Sequence, residues 1–180
     1  VFAQIDTAAR DPAPRLFLDL DPAAGDQGQR QRAGLQAGDT ARVQLHVEGG
    51  GQVSGWRVVL DYDSARLRLA ADGFQPGDFL LGLVWRVAAG EDGRVEVAGT
   101  VTIGAAAGAG DGFLGTVAFD VVDVLGRGTA ITATEIELQR ADGSSHREHL
   151  LSAARLASWE VITAVQEGPP PPPETPALLQ

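Results

Sequence analysis

Residues 53–69, VSGWRVVLDYDSARLRL, constrain the fold more than any other stretch of the chain. Trp56, Val58, Leu60 and Tyr62 alternate with Arg57, Val59 and Asp61. Period two sends successive side chains to opposite faces of a strand, so the first set faces a core and the second faces outward. The strand stops at Asp63-Ser64, and Leu67 and Leu69 begin a second alternating run.

The same pattern recurs along the chain. Leu16, Leu18 and Leu20 alternate with Phe17, Asp19 and Asp21, and Val43, Leu45 and Val47 with Arg42, Gln44 and His46. Further strands are predicted over 80–88, 94–101, 113–122, 129–140 and 157–165, the last around Trp159, Val161 and Thr163. A short strand within 30–35 would break up the long Gly- and Asp-rich loop 22–38. Pro76-Gly77 reads as a type II turn. Residues 104–112 contain only Gly, Ala and Asp and read as a loop. Residues 145–156, SHREHLLSAARL, admit a short helix as well as a loop or a paired strand. About nine strands at this spacing predict an all-β, antiparallel β-sandwich over residues 15–166. An extended arm (1–14) precedes it. A polyproline tail (167–180), with Pro169, Pro170, Pro171, Pro172 and Pro173 in a row, follows it.

Composition limits the function classes. Across 180 residues the formal net charge is -10, and every basic residue is Arg. An acidic surface argues against nucleic acid and against anionic lipid. With no Cys there is no thiolate nucleophile and no Cys-ligated zinc. No apolar run in these residues is long enough to span a membrane. Val1-Phe2-Ala3-Gln4 reads as the end of a secretory signal, which predicts a periplasmic or extracellular protein.

Four pieces of sequence, in order, resemble the cohesin domains and their cohesin-like relatives on the carbohydrate-binding-module-like sandwich. They are Gly38-Asp39-Thr40 before an alternating strand, and Gly55-Trp56-Arg57-Val58-Val59-Leu60-Asp61-Tyr62-Asp63 followed by Leu67 and Leu69. Gly110 to Phe119 (GDGFLGTVAF) is the third, and Ile136-Glu137-Leu138 with Ala141-Asp142-Gly143 is the fourth. The resemblance spans residues 16–165. It implies a nine-stranded sandwich of jelly-roll topology and a non-catalytic binding role. In cellulosomes, cohesins hold calcium-loaded dockerin modules. Many cohesin-like domains occur in bacteria that lack a cellulosome.

The catalytic and metal candidates are few. His46 lies on the polar face of its strand and reads as a solvated residue. His146 and His149 would share one face only on a helix, where a metal could bridge them. Ser144 and Ser145 lie beside His146, but no G-x-S-x-G elbow accompanies them. No residues are therefore assigned to catalysis, and no cofactor is expected. Asp19, Asp21 and Asp26 are the calcium candidates, although their spacing is not that of an EF-hand. Asp61 and Asp63 lie two apart, and the resemblance implies that the Tyr62-Asp63 turn is structural, with the Asp carboxylate accepting backbone N–H groups after the strand. Trp56 and Tyr62 read as core, and Trp85 as core or surface.

These readings point to a protein-binding module whose partner is another protein, such as a dockerin-like module. Its contact residues would be Arg57, Val59 and Pro169–Pro173. One alternative is a structural accessory subunit of a larger complex, membrane-bound or not, with its two arms lying along neighbouring subunits. A second is a carbohydrate-binding module.

Overall fold

The computed structural model describes residues 14–90, 92–102 and 105–158. Residues 1–13 of the predicted arm 1–14 and the whole predicted tail 167–180, with Pro169–Pro173, lie outside the described residues, as does most of the predicted strand 157–165, Trp159 included. The described chain is β throughout. Its strands are β1 (Arg15–Asp19), β2 (Gln31–Arg32), β3 (Thr40–Glu48), β4 (Gln52–Tyr62), β5 (Leu67–Pro76), β6 (Leu83–Ala89), β7 (Arg94–Val101), β8 (Gly108–Ala109), β9 (Gly112–Val121), β10 (Thr129–Arg140) and β11 (Ser145–Leu156). With the two-residue β2 and β8 set aside, nine strands build the sandwich.

They form two sheets, one ordered β1-β3-β9-β5 and the other β2-β11-β10-β4-β7-β6, with β8 beside β4. All pairings among the nine longer strands are antiparallel. β4 lies in the interior of the larger sheet, bonded to β7 on one side and β10 on the other. Its alternation therefore resolves as expected, with Trp56, Val58 and Leu60 buried in the core. Tyr62 is partly buried against the same core and packs on Phe119 at 4.9 Å. Leu16, Leu18, Val43, Leu45, Val117 and Phe119 face them from the smaller sheet, and Ile136, Leu138, Val95 and Val97 flank them in the larger one. Each fully buried aliphatic side chain of this kind contributes about 1.5–3 kcal/mol.

Two turns depend on local chemistry. Asp63 Oδ1 accepts the Ala65 N–H at 3.0 Å, as the turn reading expects, and ends β4. Gly93, between β6 and β7, has φ +78° and donates no bulk where a Cβ would stand 2.2 Å from the Tyr62 carbonyl. That closeness lets the Gly93 carbonyl accept the Tyr62 N–H at 2.7 Å.

One open choice is resolved and two expectations are corrected. Residues 145–156, open between helix, loop and paired strand in the sequence, are the strand β11, because Ser145–Leu156 pairs with β10 along most of its length. The hairpin partner satisfies the backbone, and so overrides a local pattern that fits either state. Pro76-Gly77 is not a type II turn. Pro76 ends β5, Gly77 lacks a positive φ, and its N–H donates to the Leu114 carbonyl at 2.9 Å. The glycine- and alanine-rich 104–112 loop contains the short strand β8, paired to Gln52 and Val53 of β4.

Leu60 is fully buried at the centre of β4. Leu60→Ala is expected to lower the unfolding free energy by about 2–5 kcal/mol in urea titration. Leu60→Asp is expected to abolish the cooperative transition, because it buries an unpaired carboxylate. A folded Leu60→Asp protein would mean the two faces of β4 are assigned the wrong way round.

Candidate functional site: a charged sheet face

The outward positions of the larger sheet form a regular grid. Across β6, β7, β4, β10 and β11, one row reads Val84, Thr100, Gly55, Gln139 and Ser145. The next reads Arg86, Ala98, Arg57, Glu137 and Arg147, and the third Ala88, Glu96, Val59, Glu135 and His149. Small residues in the first two rows leave an open cleft of about 530 Å³ bordered by Val84, Arg86, Thr100, Gln139 and Ser145.

The charges on this grid alternate in sign. Arg57 Nε donates to Glu96 at 2.7 Å, and its Nη1 donates to Glu135. Arg86 Nη2 reaches the other oxygen of Glu96 at 2.7 Å. Arg147 Nη2 donates to Glu137 at 2.8 Å and its Nε lies 3.8 Å from Glu135. His149 Nδ1 stands 3.7 Å from Glu135. Glu135 is thus the acceptor on which Arg57, Arg147 and His149 converge. Burial pushes its carboxyl up, but the Arg57 hydrogen bond and the surrounding positive charge outweigh that and hold it below the usual range. Burial likewise pushes Arg57 down, and its bonds to Glu96 and Glu135 more than restore it. Isolated surface pairs contribute little to stability. A connected set fixes long side chains in place and leaves a preformed pattern of charge on the face.

Arg57 stands at the centre of this face, half-buried, as the sequence reading placed it. Val59 does not point into solvent. It has the outward parity, yet it is fully buried and lies outside the core. The register sets it between Glu96 and Glu135, and Arg57 reaches along the strand to bond both, so the three side chains roof it.

His46 is a second correction, since it is buried and not solvated. It bonds Gln44 at 2.9 Å and stacks on Phe113 at 5.1 Å. The 20–30 loop folds over this outer face of β1 and β3, and Gln44 holds it through the Ala23 carbonyl at 3.1 Å. Burial pushes the His46 imidazole down from 6.5, against the nearby charges of Asp26 and Asp19 and in concert with Arg30.

Asp19 is the anchor of that loop. Its fully buried carboxylate accepts the N–H groups of Asp21 (2.8 Å), Gly28 (3.0 Å) and Gln27. Asp26 is clasped by Arg30 through both of its oxygens, which holds its carboxyl far below the usual range. Asp21 accepts the Ala23 N–H. The calcium candidates are therefore brought near one another, with these oxygens turned to N–H donors.

His146 and His149 are separated, because residues three apart on a strand face opposite ways. His146 bonds Glu148, and His149 joins the Glu135 cluster. Ser144 bonds Asp142 and makes no pair with His146. Trp56 is buried, and Trp85, half exposed, packs edge-on against Phe74 at 5.5 Å. The described residues thus offer no row of coplanar exposed rings for sugar stacking.

No family model matches the chain, and no curated protein matches it. Solved structures do. The second type II cohesin module of the adaptor scaffoldin ScaA from Acetivibrio cellulolyticus superposes with a TM-score of 0.63 at 15% identity, covering 85% of this chain and 94% of that one. The non-cellulosomal cohesin of the hyperthermophilic archaeon Archaeoglobus fulgidus gives 0.57 at 17% identity, covering 80% and 89%. The third cohesin of ScaC from Acetivibrio cellulolyticus, solved in complex with the ScaB dockerin, gives 0.61 at 12%, covering 81% and 99%. The fold is that of a cohesin module.

Within this cohesin-like domain, sequence reasoning placed Arg57 on the outer face and did not name its neighbours there. Glu135, Glu137 and Gln139 alternate with Ile136 and Leu138, so period two alone would have placed them on the outer face. Arg147 and His149 were hidden by the helical option for 145–156.

The acid response follows from these groups. His46 has a folded pKa below its ordinary 6.5, so the stability it contributes is present above that value and lost as pH falls past it. Asp26 and Glu135 are depressed carboxyls, so theirs is lost below about 4, as the unfolded chain takes up protons. The melting temperature is expected to fall first below about pH 6.5 and again, more steeply, below about 4. His46→Gln should erase the first step and keep the second. A first step that survives in His46→Gln belongs to another group.

Proposed function

We propose that this domain is a non-catalytic protein-docking module, and that the outer face of β6-β7-β4-β10-β11 is where the partner sits. The observation that carries it is the connected lattice of Arg86, Glu96, Arg57, Glu135, Arg147 and Glu137 beside an open cleft. Such a face offers fixed, alternating charge with small residues between, which suits a folded partner of complementary pattern. The opposite sheet is less suited, since the 20–30 loop covers its β1 and β3. The cohesin fold supports the same reading, because the Acetivibrio cellulolyticus cohesin is seen bound to a dockerin. A dockerin-like module is accordingly the first partner to test. Location outside the cytoplasm fits the scaffoldin setting of that organism's cohesins.

The test is affinity capture from the native source with immobilised wild type and two variants. Glu137→Arg reverses a charge on the proposed face, and Arg42→Glu reverses one on the opposite sheet. Capture is expected to drop at least about tenfold with Glu137→Arg, as like charges meet across the interface, and to persist with Arg42→Glu. The converse pattern would move the docking site to the smaller sheet, and loss in neither would remove the charged face from recognition.

A further inference from the structure

β6 closes one side of the larger sheet, and its register with β7 is regular from Leu83 to Ala89. Gly90 N–H donates to the Arg94 carbonyl at 2.7 Å, and Thr102 N–H to the Gly82 carbonyl at 3.4 Å. Those pairs fix the phase of the ladder. The even-numbered residues of β6 turn their backbone groups toward β7, and Leu83, Trp85 and Val87 turn theirs to the open side. No described strand pairs there. Natural edge strands are blunted by charges, proline or bulges. β6 has Arg86 and none of the other devices. Three large exposed hydrophobics cluster on it and its leading turn: Leu81 at 71% exposure, Val84 at 57% and Trp85 at 45%.

We propose that β6 pairs antiparallel with β6 of a second copy about a two-fold axis at Trp85, so that the two large sheets become one. In this register Trp85 faces its own counterpart, Leu83 faces Val87, Leu81 faces Ala89 and Val84 faces Arg86. The outward-turned N–H and C=O groups of Leu83, Trp85 and Val87 meet as closely spaced hydrogen-bonded pairs, and the exposed hydrophobics are covered together. Charge, length and the position of the exposed hydrophobics select this axis, since a centre on Val87 would leave Leu81 and Val84 outside the paired stretch. Centred on Arg86, the pairing would press two guanidinium groups face to face, which is unfavourable for directly opposed residues. Centred on Val84, it would use only the first few residues of the strand. An isologous contact of this kind closes at two copies and does not propagate.

The experiment is sedimentation equilibrium of the full chain at physiological ionic strength, with no partner present, for wild type, Val84→Arg and Val84→Glu. Val84 points outward, so each variant keeps the core, and circular dichroism checks this. The wild type is expected to show a reversible monomer–dimer equilibrium. Val84→Arg opposes Arg86 of the other copy twice and should weaken the dimer about tenfold, while Val84→Glu should tighten it by a similar factor. A monomer at every concentration overturns the proposal, including one that accepts a strand only from a different protein. A dimer that both charges shift alike, or that neither shifts, overturns it by placing the contact elsewhere. The readout needs no docking partner, so failure here leaves the charged-face reading intact.

Discussion

The double pairing of β4 is the constraint on which the rest of the structure depends. With β7 bonded on one side and β10 on the other, the strand cannot slip register without turning Leu60 and Val58 to water. Its inner face commits to the core shared with Phe119, Val117 and Leu45. Its outer face is then fixed by default, and Arg57 must stand in the middle of the larger sheet. The face proposed for docking is therefore the reverse side of core packing, and the two cannot be varied independently at β4.

Around Arg57 the cross-strand neighbours are all chargeable or small. Glu96 from β7 and Glu135 from β10 meet its guanidinium, Arg86 and Arg147 extend the pattern outward, and Ala98, Thr100 and Gly55 leave room above the backbone. Val59 shows how the face is built in depth. An apolar side chain with outward parity is roofed by the very ion pairs that a partner would read. The smaller sheet treats its outer face differently. There Asp19 gathers backbone N–H groups, Asp26 clasps Arg30, and the resulting loop seals Gln44 and His46 away from solvent.

Much of this was legible in the sequence, for one reason: sandwich strands obey period two, and the chain keeps it at 53–62, 94–101 and 129–140. The antiparallel sandwich, the burial of Trp56 and the partial burial of Tyr62 follow from that pattern, while the cohesin-like reading came from the resemblance of four ordered motifs and the Asp63 turn from local Asx chemistry. What was missed depends on tertiary contacts. Nothing local announces that the 20–30 loop will fold over His46, or that β10 will draw 145–156 into a strand. The roof over Val59 requires the register of three strands at once. Asp19, Asp21 and Asp26 were calcium candidates by residue type alone, and the sequence did not show that the Asp19 carboxylate accepts the N–H groups of Asp21, Gln27 and Gly28. Those donors come from the path of residues 21–28, which has no local signature.

The most direct measurement is hydroxyl-radical footprinting of the domain in its captured complex against the domain alone. Arg147 and His149 are the reporters, since they lie on the far side of the face from β6, and Phe17 on the smaller sheet is the control. The docking account expects Arg147 and His149 to be shielded in the complex while Phe17 reacts as before. Shielding of Phe17 with Arg147 and His149 unchanged would contradict it, and would transfer the binding role to the smaller sheet.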